Sequence, residues 1–279
     1  MDRRKLRVLL RHKSAMAGLF ILMLFVLLAC TVDLISPHDP LEMSSAAKEQ
    51  GPSATYWFGT DNSGRDIFTR IWIGARVSLL IGIGCVLVSM GIGIPMGAIA
   101  GYAGGKTDMV LSRIVDLMLA FPSILLAICI AAAMGTGINT VIIAVGVVGI
   151  PQFARQVRAS VLQLREQEFV LASHSLGASH ARVLFSGILP NALGPIIVLA
   201  TLGVGTSILT AAGLSFLGLG VEPGTPEWGA MLHDGYNYWR RSLSLALFSG
   251  LAISISVMAF NLFGDGLRDA LDPRSRESR

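Results

Sequence analysis

Long charge-free stretches separated by short polar ones set the pattern of this chain, with no Asp, Glu, Lys or Arg at 14–32, 77–105, 117–154, 183–221 or 242–264. Crossing a bilayer as a helix takes roughly 20 consecutive apolar residues. The 117–154 stretch is too long for one crossing and carries Gly135-Thr136-Gly137 near its middle, a tight turn, so it divides into two. The pattern predicts transmembrane helices at 16–35, 77–101, 110–134, 138–153, 192–213 and 242–263, and therefore an all-α polytopic membrane protein. In this division 1–76 holds an N-terminal tail, the first span and an outer segment. Residues 77–264 hold the transmembrane core with a cytoplasmic loop at 155–190, and 265–279 a cytoplasmic C-terminal tail.

Composition agrees, with 53% hydrophobic residues, 14% charged and a mean hydropathy of +0.64; soluble domains carry about 25% charged residues. Charge then sets orientation. Lys48, Arg65, Arg70, Arg76, Arg240 and Arg241 fall on one side of the six-span arrangement and the other 16 of the 22 Lys and Arg on the opposite side. Cytoplasmic loops carry that excess, so both termini are predicted inside. The net charge of +4 is accounted for by the inner rim and implies no nucleic-acid partner. Cys30, Cys85 and Cys129 all lie in predicted spans, where cysteine behaves as a small hydrophobe, and their spacing offers neither a disulfide framework nor a metal site.

Two motifs mislead. Leu27-Leu28-Ala29-Cys30 resembles the end of a lipoprotein signal, but Leu28 stands where a small residue is usual and the span continues to Ile35. Ala100 to Thr107, reading AGYAGGKT, nearly matches a phosphate loop. A phosphate loop needs a strand before it and a first Gly to wrap phosphate; here a membrane helix precedes it and Ala100 replaces that Gly. Instead Gly93, Gly97, Gly101 and Gly105 recur every four residues on one helix face, which lets helices approach closely in lipid, and Lys106 is an inner-rim cation.

The outer segment at 36–76 is rich in Pro and Gly. Within it, Ile67, Phe68, Ile71 and Trp72 share a helical face, predicting an interfacial helix with Arg65, Arg70 and Arg76 snorkelling to water. Thr60, Asp61, Arg65 and Asp66 read as turn and cap residues. Acids within spans are few: Asp33 sits near an outer end, and Asp116 lies three residues after Arg113, within reach of an i,i+3 pair. No mid-membrane titratable group supports an ion-coupled carrier, and no nucleophile with a base, carboxylate pair or metal cluster supports an intramembrane enzyme. The histidines are scattered, and His233 on the outer face is the one candidate ligand.

The most informative segment is polar and helix-compatible and is set between apolar runs: EFVLASHSLGASHARVLFSGILPN, from Glu168 to Asn191. A helix over 162–176, a sharp turn at Gly177 and a second segment capped by Ser179 make a two-helix cytoplasmic handle for a soluble partner. Gly177, then nine residues, then Gly187-Ile188-Leu189-Pro190-Asn191, resembles the coupling loop of type I ATP-binding-cassette importer permeases. WFGTDNSGRDIFTR at 57–70, SFLGLG and TPEWG between Ser215 and Gly229, and FNLFGDGLRDALDP at 260–273 are similar to the dipeptide, oligopeptide and nickel branch of that family. Two positions depart from it. Leu171-Ala172-Ser173 stands where Glu-Ala-Ala is usual, so the acidic contact is lost or moved to Glu168, and Ser249 replaces a common proline before Gly250.

The resemblance implies a non-enzymatic permease subunit in a bacterial cytoplasmic membrane, forming half of a pathway for dipeptides or short oligopeptides, with nickel or a nickel chelate as the alternative. It implies a homologous second permease, two ATP-binding subunits that hold ATP and Mg, an extracytoplasmic substrate-binding protein and the lipid bilayer as partners, with no cofactor on this chain. Contact with the ATPase falls to Glu168, Phe169, Ala172, Ser173, Leu176, Gly177 and Ala178, supported by Leu189, Pro190 and Asn191, while Gly93, Gly97 and Gly101 pack helices. The passage is expected to be lined by small and apolar residues.

Overall fold

A computed structural model describes residues 8–10 and 12–271. The tail cations counted on the inner side at Arg3, Arg4, Lys5, Arg7 and Arg11 and at 274–279 lie outside these residues, as do Asp272 and Pro273 of the last motif. Helix α1 (Lys13–Ile35) begins at His12, whose ring accepts the Ala15 N–H. Helix α2 (Ile67–Ala103) begins at Asp66, whose carboxylate accepts the Thr69 N–H at 2.8 Å. Its 37 residues reach roughly 55 Å at 1.5 Å per residue, well beyond a ~30 Å hydrocarbon core. The expected interfacial helix and second span are thus one continuous helix, because Ile67, Ile71, Ala75 and Ile81 keep a single buried face.

Gly104 and Gly105, both at positive φ, reverse the chain into α3 (Gly105–Leu119). The third span, expected at 110–134 as one helix, is broken: α3 and α4 (Ser123–Met134) meet at 88°. Pro122 explains the break, since it has no N–H for the ladder and disfavours helical backbone at Phe121. Helix α5 (Ile138–Arg165) tolerates Pro151 and runs past the expected end at Phe153, so Arg155 and Arg158 belong to a span helix and not to a loop. The short α6 (Glu168–Ser175) follows. Next comes α7, 180–216, in which a first turn at His180–Arg182 and a π-helical stretch at Val183–Ile188 lead into Leu189–Phe216. Helix α8 (Trp228–Asn237) packs against α7 and α9, and α9 (Ser244–Leu271) carries the chain back, extending helix beyond the expected end at 263 into the supposed tail. Ser249 bends nothing: its Oγ donates to the Leu245 carbonyl within α9.

Among the described residues five helices are long and apolar enough to cross a membrane, and the broken α3–α4 pair supplies a sixth passage when taken as one span. The most extensive packing is between α2 and α5. A Cβ on Gly93 would sit 2.7 Å from that of Phe153, one on Gly101 would sit 2.9 Å from the Arg158 carbonyl oxygen, and one on Gly97 would overlap the Ala154 carbonyl. From the other side, a Cβ on Gly146 of α5 would sit 2.7 Å from that of Val88. Contact of this kind suits lipid, where van der Waals packing replaces the hydrophobic effect as the driving force between helices. Gly105, expected to continue the stripe, faces open space and serves the turn instead. On the far side of the bundle α1 lies against α9, with Gly18 close to the backbone at Ala259 and Phe263.

Candidate functional site

The loop between α5 and α7 is built as two short helical pieces around Gly177. Helix α6 stops because Gly177 adopts φ +78°, a conformation in which a Cβ is strained. Its N–H bonds the His174 carbonyl at 2.9 Å and the Ala178 N–H bonds the Ser173 carbonyl at 3.1 Å. That pair of bonds is the Schellman ending, which satisfies orphan carbonyls at a helix C-terminus. Ser179 then caps the next segment by accepting the Arg182 N–H. The helix expected over 162–176 is interrupted at Glu166 and Gln167, so Leu162 and Leu164 belong to α5.

Val170 anchors α6, buried with Val157, Val161, Val183, Leu184 and Ile188. Tyr102 at the end of α2 ties the same loop down: its hydroxyl lies 2.9 Å from His180 Nδ1 and 3.4 Å from His174 Nε2. Asn191 donates its side-chain N–H to the Gly187 carbonyl at 2.7 Å across the π-helical stretch. Pro190, which lacks an N–H, sits where the ladder changes from π to α register. Leu189, Pro190 and Asn191 therefore set the geometry of the loop.

Its outward face is the reverse of an ordinary surface. Leu176 is 88% exposed and Leu171 61%, with Phe169 and Phe185 also exposed. Glu168, Ala172, Gly177 and Ala178 surround them, with Ala178 and Ser173 partly covered. Large apolar side chains held on a rigid, capped loop are what a protein partner's pocket can receive.

The structure also gathers residues that the sequence reading passed over. A groove of about 560 Å³ runs between α2, the α3–α4 elbow, α5 and α7, and no part of α1 or α9 lines it. It is not purely small and apolar as expected, for Gln152, Gln156, Thr206, Ser207 and Thr210 line it together with Ser89 and the one charged residue, Arg155. The signal was present in the sequence as polar residues spaced four apart on otherwise apolar helices. Asp116 pairs not with Arg113 but with Arg155, at 2.8 Å, because α3 packs against α5.

In the segment expected to lie outside, the cap residues are buried. Asp61 Oδ1 accepts the backbone N–H groups of Ser63 and Arg65, and Oδ2 accepts Arg65 Nε at 2.6 Å. Arg70 gives Nη1 to the Pro40 carbonyl at 3.0 Å and to the Gly224 carbonyl at 3.4 Å, joining the two outer segments. Arg65 and Arg70 were expected to snorkel and instead are enclosed, because Asp61 offers them a partner inside. Arg76 stays exposed and pairs with Asp33. Burial pushes the Asp234 carboxyl up from the usual range, against the pull of Arg65 and Arg70. Glu227 caps α8 by accepting the Gly229 and Ala230 N–H groups, and the Trp228 indole donates to the Ile71 carbonyl. His233 is committed to the Phe216 carbonyl and to Asn237. Among the described residues no three His, Cys, Asp or Glu side chains gather as a metal-ligand set.

Comparison with known proteins bears on this arrangement. Residues 93–277 match the family model of the binding-protein-dependent transport system inner membrane component, and residues 3–52 that of the N-terminal TM domain of oligopeptide transport permease C. The chain is 48% identical to the dipeptide transport system permease protein DppC of Alkalihalophilus pseudofirmus, over 98% of this chain and 90% of that protein. It is 45% identical to the glutathione transport system permease protein GsiD of Pectobacterium atrosepticum, over 96% and 89%. The oligopeptide transport system permease protein OppC of Bacillus subtilis is 44% identical, over 95% and 87%. The fold is that of an inward-facing MetNI methionine ABC transporter chain, with a TM-score of 0.61 at 20% identity, over 73% of this chain and 96% of that one.

Proposed function

The chain belongs to the family of binding-protein-dependent transport system inner membrane components, and from that premise we propose that it is a permease subunit of an ATP-binding-cassette importer of dipeptides or short oligopeptides. It forms half of the passage, is not an enzyme, and works with a homologous second permease, two ATP-binding subunits that hold ATP and Mg, and an external substrate-binding protein. Both termini face the cytoplasm of a multi-pass inner-membrane protein. The carrying observation is the loop around Gly177, where Leu176 and its exposed neighbours stand on a turn fixed by backbone bonds. Such a loop transmits force, because its orientation is set by the bundle through Val170 and Tyr102 while its apolar face is free for the ATPase. ATP binding changes transport only by favouring one bundle arrangement over another, and a rigid handle is the means of that bias.

The test is ATP-driven uptake by the reconstituted complex, offered a dipeptide, a tetrapeptide and a nickel chelate in turn, each with its binding protein. Uptake of the peptides and not the chelate is expected; uptake of the chelate alone assigns the system to nickel. In sealed cells, an impermeant thiol reagent should label a single cysteine placed at Glu49 and spare one at Ser173, and the reverse pattern overturns the orientation.

A further inference from the structure

Two arginines one turn apart on α5 make different contacts with α3. Arg158 holds Asp108 with two bonds, Nε to Oδ1 at 2.5 Å and Nη2 to Oδ2 at 2.7 Å, and the pair is mostly shielded, at 36% and 20% exposure. Arg155 gives Asp116 one bond, Nη2 to Oδ1 at 2.8 Å, and the pair is open, at 59% and 51% exposure. A guanidinium carries five N–H donors in a planar fork matched to a carboxylate. The Arg158 fork is filled by Asp108, whereas that of Arg155 is partly unused and lines the groove.

The rest of the groove has a complementary character. Thr206 and Thr210 donate their hydroxyl hydrogens to their own helix, at the Gly203 and Thr206 carbonyls, which leaves their lone pairs as acceptors. Gln152 and Gln156 lie beside Arg155 on α5 and can both donate and accept. Thr206 and Thr210 on α7 thus offer neutral acceptors, and Arg155 on α5 offers the one cation. Along α5 the groove extends from Val145 to Ala159, and the part from Val145 to Arg155 spans roughly 15 Å at 1.5 Å per residue. That is the reach of about four extended residues at ~3.3–3.6 Å each.

Resting on the peptide-permease reading, we propose that Arg155 is a specificity-determining residue that receives the C-terminal carboxylate of the passing peptide, with Asp116 as a resting counter-ion that the substrate displaces. The ammonium end then points toward Thr206 and Thr210, and side chains of any kind project from the neutral walls. Displacement exchanges one carboxylate for another, so the guanidinium never stands unpaired in the groove. The lone hydrogen bond to Asp116 makes that exchange easy; the two hydrogen bonds of Arg158 to Asp108 make that pair a fixed clamp.

The experiment uses the assembled complex with binding protein saturated by either a free tetrapeptide or its C-terminal amide, and reads uptake alongside binding-protein-stimulated ATP hydrolysis. Wild type should prefer the free acid, and Arg155→Gln should lose on the order of 10-fold of that preference, with stimulated hydrolysis retained. Asp116→Asn should keep or raise uptake of the free acid, since it leaves the fork open. If Asp116→Asn and Arg155→Gln depress uptake of both peptides equally, the pair is a helix tether and the proposal falls. The ratio of acid to amide is independent of how much complex assembles, so a poorly assembling Arg155→Gln still reports, and Arg155→Lys should fall between it and wild type. If wild type takes up neither peptide, the peptide-permease reading itself fails; if it takes up both alike, only the role of Arg155 does.

Discussion

The cap around Asp61 and the loop around Gly177 invert each other. In the cap, charge is hidden: Asp61, Arg65, Asp66, Arg70 and Glu227 are all buried, and most of their polar atoms end on backbone groups or on one another. In the loop, apolar surface is shown: Phe169, Leu171, Leu176 and Phe185 stand out on a piece of chain whose own backbone is satisfied. Enclosed charge that has found partners holds a protein to one shape, and exposed apolar surface on a fixed scaffold awaits another molecule. The family-signature residues divide the same way, for the 57–70 and TPEWG motifs build the cap and Gly177 with Gly187 to Asn191 builds the handle.

Asp61→Ala should have the largest effect. It strips Arg65 of its carboxylate and removes the nearest anion to Arg70, 3.7 Å away, leaving Arg70 held only by the Pro40 and Gly224 carbonyls. Breaking one partner of a buried pair costs about 3–5 kcal/mol. Thermal unfolding of the purified subunit, or its yield in membranes, should fall sharply. An unchanged melting temperature would mean that water reaches the cap and that its charges are not structural.

Gly177→Val should do the opposite, harming function more than fold. The residue has φ +78° and no neighbour within 4 Å of a built Cβ, so the cost is confined to the turn at about 1–2 kcal/mol. The complex should assemble in normal amounts, yet uptake should fall by at least about 10-fold, because 1.4 kcal/mol of mis-set handle is a decade in the coupled equilibrium. Uptake and assembly are measured in one preparation. Normal uptake removes the handle role, and absent protein moves Gly177 from the functional side of the comparison to the structural side.

These two regions were unequally legible in the sequence. The handle was readable because a positive-φ turn needs Gly and a cap needs Ser, both local requirements that Gly177 and Ser179 state outright. The crossings were readable because lipid demands long apolar helices. The cap was misread at Arg65 and Arg70, since whether an arginine snorkels or is enclosed depends on a carboxylate brought near by the fold, and on carbonyls as distant as Gly224. Helix ends were misplaced for a related reason: Pro151 inside α5 and Pro122 between α3 and α4 are the same residue type with opposite outcomes. At Pro151 the close α2–α5 contact holds the helix together despite the missing bond, while α3 and α4 lack such a neighbour along their length and part at the proline. The partnership of Asp116 with Arg155 was likewise a matter of packing, invisible to spacing along one helix.

The smallest expected effect concerns the segment joining the two regions along α2. Lys106 follows the Gly104 and Gly105 reversal and is exposed at the start of α3. A phosphate loop would need the preceding backbone to wrap an anion, but Ala100 to Ala103 are the last turn of a membrane helix, whose N–H groups are already spent in the ladder. Gly101 is occupied in the contact with α5, where a Cβ would sit 2.9 Å from the Arg158 carbonyl oxygen. Lys106→Ala is a surface change of the kind that stays within about 0.5 kcal/mol. ATP turnover by the assembled transporter should therefore move by less than about 2-fold, and the isolated subunit should bind no nucleotide before or after the change. Loss of ATP binding by the purified chain alone would place the energy source on this subunit, and the exposed face around Leu176 would then need an explanation other than a docked ATPase.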